Sequence, residues 1–125
     1  MLFRSETKFL AFANAYNGKS FNIDSLIYKW NGSRFVHFQS IPTRGAMTMH
    51  PFEICHETYI GVANSNGFSA VYQFNVSQFV KYQENITYGA HDMTSFEYKG
   101  HIYLAIAKHE KDGSYNINSE LYKWV

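Results

Sequence analysis

A single cysteine, Cys55, excludes an intramolecular disulfide, so no covalent staple holds this chain. Such a lone residue is expected as a small, buried or half-buried strand residue, with a reactive thiol or pairing between chains as the alternative. Only two prolines interrupt 125 residues. The formal net charge is +1, with no basic stripe. Nucleic-acid binding requires one to displace counterions, so that class is excluded. No apolar run approaches the length of a membrane span, and residues 1–6 hold no apolar core of signal-peptide length. No segment of ten or more residues carries a 3.6-residue hydrophobic period, so no long helix is expected. Nucleophile elbow, phosphate loop and paired catalytic carboxylates are all missing, and the expectation is that the chain is not an enzyme.

Aromatic residues are abundant: 10 Tyr and 11 Phe. They favour strands, where rings pack across a pleated surface. More telling, the chain repeats itself. Shifted by 44 positions, residues 28–60 lie over 72–104 without a gap, and Asn31, Ser33, Phe35, Gln39, Gly45, Met49 and Tyr59 meet Asn75, Ser77, Phe79, Gln83, Gly89, Met93 and Tyr103. Shifted by 94, residues 9–30 lie over 103–124, and Tyr28-Lys29-Trp30 meets Tyr122-Lys123-Trp124. A period in the forties built from short apolar runs marks a stacked β-repeat or propeller. Such units cannot bury their faces alone.

Each repeat reads as a four-stranded antiparallel meander. In the central one, strands are expected over 49–55, 58–64, 69–74 and 78–84, with tight turns at His56-Glu57 and Asn66-Gly67. The second strand recurs as Phe9-Leu10-Ala11-Phe12-Ala13, Tyr59-Ile60-Gly61-Val62-Ala63 and Tyr103-Leu104-Ala105-Ile106-Ala107. With side chains alternating, one face is aromatic and small and the other is bulky aliphatic. Both faces are apolar, so both must be covered, and small against bulky lets sheets approach closely. A sandwich would leave one face polar. The expected fold is therefore all-β: a β-propeller segment of about two and three-quarter four-stranded antiparallel blades, with repeats at approximately 1–46, 47–90 and 91–125. A longer ring, or closure by self-association, is expected to supply the rest. The hairpins Asn14–Asp24 and Lys108–Asn118 are longer than their middle counterpart, and they fall on the same end as the linkers Ser40–Met47 and Glu84–His91.

The Tyr-Lys-Trp-Asn-Gly of 28–32, the Phe-Val-His-Phe-Gln-Ser-Ile-Pro of 35–42, the Arg-Gly-Ala-Met-Thr of 44–48 and the Leu-Ala-Ile-Ala of 104–107 resemble the EAR repeat. This repeat, also called EPTP (epilepsy-associated or epitempin repeat), is found in leucine-rich glioma-inactivated proteins and in a very large adhesion G-protein-coupled receptor. The resemblance covers nearly the whole chain. It implies a seven-bladed propeller of EAR type, an extracellular or secreted location and a protein-binding role in adhesion or signalling. Seven repeats would need more than twice this length.

Candidate sites follow from position. Arg44, Met47 and His91 lie on the blade-to-blade linkers, and the innermost strands present Phe52 and Phe96. An apolar rim of this kind suits an anchor from an extracellular or cell-surface partner protein; core packing is the alternative for the two Phe. Asp92 enters an innermost strand where relatives often carry Asp, so the resemblance suggests a structural calcium ligand, against a plain cap. No other cofactor is implied. Three N-x-S/T sequons, Asn31, Asn75 and Asn85, are candidate glycosylation sites, although Asn-Gly is also ordinary turn chemistry. The histidines at 37, 50, 56, 91, 101 and 109 lack zincin spacing, and Lys111-Asp112-Gly113-Ser114 reads as a loop. Three functions remain: an extracellular protein-interaction module, a self-associating scaffold, and a propeller enzyme.

Overall fold

The computed structural model describes residues 2–3, through their backbone, together with 8–108 and 118–125; His109-Glu110 and the 111–114 loop lie outside the described residues. Eleven strands and no helix are found among the described residues. They form three antiparallel meanders, each in chain order. The first sheet holds β1 (Leu2–Phe3), β2 (Phe9–Phe12), β3 (Asn22–Trp30) and β4 (Phe35–Arg44). The middle sheet holds β5 (Ala46–Ile54), β6 (Glu57–Asn64), β7 (Ala70–Phe74) and β8 (Phe79–Gln83). The third holds β9 (Ala90–Tyr98), β10 (His101–Lys108) and β11 (Glu120–Lys123). The chain is all-β, and stacked meanders are what a propeller segment requires.

Stacking follows the two-faced second strand. Phe9 and Ala11 of β2 share one buried cluster with Met49, Ile60 and Val62 of the middle sheet. Tyr59 and Ala63, on the opposite face of β6, share a second with Met93, Leu104 and Ile106 of the third. β6 is buried from Thr58 to Asn64 because a sheet covers each face. Among the described residues each flanking sheet is covered on one face, and Phe12 of β2 and Phe96 of β9 are exposed on the other. Gly61 sits at the tightest contact: a Cβ built there would overlap the Met93 sulfur.

The polar groups that repeat along the chain close the strand ends. Ser25 and Thr43 are fully buried and share a 2.8 Å hydroxyl hydrogen bond. Asn14 N–H donates to Ser25 Oγ (3.1 Å), Asn64 N–H to Ser69 Oγ (3.1 Å) and Lys108 N–H to Ser119 Oγ (3.3 Å). These are the same positions under the 44- and 94-residue shifts. Each hydroxyl satisfies an amide at the turn; the bond is buried at Asn64–Ser69, part-buried at Asn14–Ser25 and exposed at Lys108–Ser119.

Three expectations need correction. The β5–β6 turn is Cys55-His56, not His56-Glu57. Both residues have positive φ, 52° and 66°, the signature of a two-residue primed hairpin. Their repeat counterparts are Lys99-Gly100, also at positive φ. Cys55 is therefore an exposed turn residue rather than a buried strand residue. The first linker is also far shorter than Ser40–Met47. β4 runs on to Arg44 because the long first hairpin gives it Asn22–Ser25 to pair with, and Gly45 alone (φ 69°) joins it to β5. In the middle sheet the shorter hairpin leaves less to pair with: β8 stops at Gln83, a loop follows, and pairing resumes only as the Phe68–Tyr88 bridge, with Ser69 N–H donating to Thr87 O (2.8 Å).

Candidate interaction surface

Gly45 and Gly89 mark the end of the stack where one sheet passes to the next, and both hold positive φ. The first long hairpin folds over this end: Gly45 N–H donates to Phe21 O (2.8 Å), and Ser65 N–H donates to Gly45 O (2.9 Å). The second long hairpin lies mostly outside the described residues. Asn64 ties the sheets together here, its Oδ1 accepting from Arg44 N–H (3.0 Å) while its Nδ2 donates to Phe68 O (2.8 Å).

Met47 and His91 occupy the second positions of β5 and β9. Both are exposed, Met47 at 44 %. The next residues meet directly, with Thr48 Oγ1 donating to Asp92 Oδ1 (3.1 Å). The geometry thus brings Met47 and His91 to one rim. Arg44 lies beyond the Gly45 bend, its aliphatic stem against Gly67. It lines a cavity of about 440 Å3 that Asn64, Asn66, Phe68, Glu84 and Tyr88 also line and Met47 does not. Phe52 is not part of any rim. It is 9 % exposed and stacked on Tyr59 (5.4 Å), with Trp124 edge-on at 5.9 Å. This corrects the expectation of a partner anchor, because the third sheet covers Phe52. Its counterpart Phe96, stacked on Tyr103 at 5.4 Å, is 45 % exposed because no described residue covers that face.

Two exposed aromatic pairs at this end escaped the sequence reading. Tyr16 and Phe21 lie 4.6 Å apart at the tip of the long hairpin, and Phe68 and Tyr88 lie 5.3 Å apart at the cavity mouth. The available signal was an aromatic at a turn, where no strand packing demands one.

Asp92 uses its Oδ1 on Thr48 and on its own neighbour's amide, Met93 N–H (2.8 Å). Calcium takes six to eight oxygens. Asp92 and Thr48 are too few to hold one by themselves, and among the described residues no group of three His, Cys, Asp or Glu is placed for a metal ion. Behind this rim, His50 is half-buried and bonded to Ser95 (2.8 Å). Burial lowers its pKa, and Asp92 partly opposes the shift. At the far end of the sheets, Asn31 Oδ1 accepts from Ser33 and Arg34 N–H (both 3.0 Å), and Asn75 Oδ1 accepts from Ser77 and Gln78 N–H (both 3.1 Å). These are side-chain-capped turns. Asn85 is exposed in the loop after β8.

The EPTP domain model matches residues 34–75 and 78–125, most of the chain. The chain belongs to the EPTP family. Each matched EPTP unit opens with the fourth strand of one sheet (β4 or β8) and closes with the third strand of the next (β7 or β11), so the repeat is offset from the sheets by one strand. The chain is similar to human Leucine-rich repeat LGI family member 2, 39 % identical over 46 residues, which is 37 % of this chain and 8 % of that protein. It is also similar to the human Thrombospondin-type laminin G domain and EAR repeat-containing protein, 36 % identical over 56 residues, 44 % of this chain and 8 % of that one. Mouse Leucine-rich repeat LGI family member 3 matches at 33 % over 46 residues, 37 % of this chain and 8 % of that protein. The matched EPTP segments thus span less than a tenth of these relatives. Among the described residues no helix is long and apolar enough to cross a membrane, which says nothing of β-barrels.

Proposed function

We propose that this EPTP chain is a non-enzymatic, extracellular protein–protein interaction module, a segment of an EAR-type propeller that meets its partner through the Gly45–Gly89 end. The observation that carries this is the composition of that end. Arg44 and the pair Phe68–Tyr88 line a cavity that Asn side chains share, and Met47 and the pair Tyr16–Phe21 are exposed at the same end. Aromatic residues, Met and Arg are the types enriched at the centres of protein interfaces. Family membership and the EAR-repeat relatives support an extracellular setting, in which the turns bearing Asn31 and Asn75 would carry glycans on the opposite end.

The test is binding of a fluorescent tetramer of the chain to cells displaying a library of ectodomains. Met47→Asp places a charge in an apolar contact and should weaken staining by about tenfold or more. Ser33→Ala and Ser77→Ala, which remove the distant sequons, should leave it unchanged. Normal staining by the Met47 variant with loss in the sequon variants would place the site at the wrong end. A scaffold role is the second reading. It is favoured by Phe12 and Phe96, exposed on the uncovered faces of the first and third sheets, and a chain that elutes as a stable oligomer would support it.

A further inference from the structure

Two sheets of unequal reach meet at the Gly45–Gly89 end. β4 runs on to Arg44, paired with Asn22 of β3, while β8 stops at Gln83. The cavity of about 440 Å3 lies in the step between them, and all of its lining residues fall between Asn22 and Tyr88. Its volume is that of a small-ligand pocket, about 300–1,000 Å3.

Arg44 is a positioned cation at this cavity. Its N–H donates to Asn64 Oδ1 (3.0 Å), and its carbonyl accepts from Asn66 N–H (3.0 Å). Its stem lies on Gly67, where a Cβ would stand 2.9 Å from both Arg44 Cβ and Cδ. Gly67 does not hold a positive φ, so its missing side chain makes room for that stem and serves no turn. The guanidinium has no ion pair or hydrogen bond among the described residues. Lys81, the other cation lining the cavity, is bridged to Glu84 at 3.4 Å. The carboxamides of Asn22 and Asn66 also line it, are exposed, and bond to nothing among the described residues. Phe68 and Tyr88 add two rings, 52 % and 51 % exposed and edge to face. A backbone bridge between these two residues, and the Asn64 amide on Phe68 O (2.8 Å), hold the rings in place. The backbone here is tied down while the guanidinium, carboxamides and rings face water.

We infer that this cavity binds an acidic saccharide, a glycan ending in a carboxylated sugar. The Arg44 fork takes the carboxylate. Asn22 and Asn66 meet the sugar hydroxyls, which donate and accept as carboxamides do. The apolar C–H face of the sugar ring lies on Phe68 or Tyr88. One unspent guanidinium matches one carboxylate, whereas a sulfated polymer needs a row of cations, and the net charge of the chain is only +1. An acidic side chain of a peptide would fill a small part of the volume and leave both carboxamides unpaired. The site goes beyond the protein contact proposed at the same end: its ligand is a sugar, and free saccharides test it without any protein partner.

The full chain is made in bacteria, which leaves Asn85, a sequon residue that also lines the cavity, without a glycan. It is titrated with sialyllactose and, in parallel, with lactose, a heparin tetrasaccharide and a Glu-Phe-Glu peptide, and followed by amide chemical shifts. Saturable binding of sialyllactose is expected, with Kd on the order of 1 mM or tighter and shifts centred on Arg44, Asn66–Phe68 and Tyr88. Lactose, which lacks the carboxylate, should bind at least about tenfold more weakly. Arg44→Lys keeps the charge but loses the fork, and should weaken sialyllactose about tenfold. Asn66→Ala should weaken it about threefold or more. Both positions are exposed, and an unchanged amide spectrum away from the cavity shows that the fold is retained. No saturable binding, lactose bound as tightly as sialyllactose, full affinity in Arg44→Lys, or shifts centred away from the cavity overturns the site. So does tighter binding of the heparin fragment or the peptide, which would make the ligand a sulfated chain or a protein segment.

Discussion

Gly61→Leu tests the sheet packing where it is tightest. Gly61 pairs with His50 and Val71 on its two flanking strands, so its backbone is fixed by ladders on both sides. Its φ is ordinary, so a side chain strains nothing there but the space. A Cβ would overlap the Met93 sulfur, and Met93 is itself 2 % exposed. Met93 is flexible and can yield to one carbon. For Gly61→Ala, the gain from a less flexible unfolded chain, about 0.4–1 kcal/mol, offsets part of the cost. Leu adds three more carbons in a closed space, and overpacking of that kind costs about 1–3 kcal/mol. Urea unfolding followed by far-UV circular dichroism measures it. The shift should come in the midpoint and not in the slope. Combining Gly61→Leu with Met93→Ala opens room for the new side chain, so the double variant should be more stable than the sum of the single changes by about 0.5–3 kcal/mol. A Leu variant as stable as the parent, or strictly additive changes, would mean that β6 does not face β9 as described.

Three further outcomes are expected. Asn64→Ala removes a buried side chain and leaves Arg44 N–H and Phe68 O without its part-buried hydrogen bonds, and should cost about 1–3 kcal/mol in the same assay, whereas its half-exposed counterpart Asn14→Ala should cost less. His50 has a pKa lowered from 6.5 by burial, so the unfolded chain takes up the proton first; stability should be retained above about pH 6.5 and fall as pH drops through the window below it, and His50→Gln should flatten that slope. Replacing Cys55-His56 by Asn-Gly, the pair suited to two consecutive positive φ values, should raise stability by about 1 kcal/mol in thermal unfolding.

The parts of this fold that were legible from sequence are those written in periodicity. The apolar, two-faced second strand disclosed that sheets must stack on both sides of it, and Ala11 and Gly61 marked the face that lies close to its neighbour, while the equivalent face at Ala105 has no described neighbour. Turn chemistry was harder. Cys is not a turn former, so Cys55 read as the end of a strand and the turn as His56-Glu57, one position late; the match with Lys99-Gly100, both at positive φ, shows the true turn. The reach of β4 depended on a partner far along the chain: Ile41-Pro42 looks like a linker, yet Pro42 pairs with Asp24 on an edge strand, where a missing N–H is tolerated. The Asn14/Asn64 and Ser25/Ser69 sets stood in the repeat alignment, but their role rests on which hydroxyl meets which amide, and a one-dimensional pattern does not carry that. Phe52 and Phe96 are the clearest case. They are the same residue in the same position of the repeat, and only the neighbouring sheet decides that one is core and the other surface.

The central claim, that the Gly45–Gly89 end recognises a protein, is tested most directly by amide hydrogen exchange on the chain bound to a partner recovered from the ectodomain screen. The account predicts slowed exchange at residues 15–21, 44–48, 65–68 and 88–92, with none at the turns 31–34 and 75–78. Protection confined to those two turns, with the Gly45–Gly89 end exchanging as in the free chain, would contradict it.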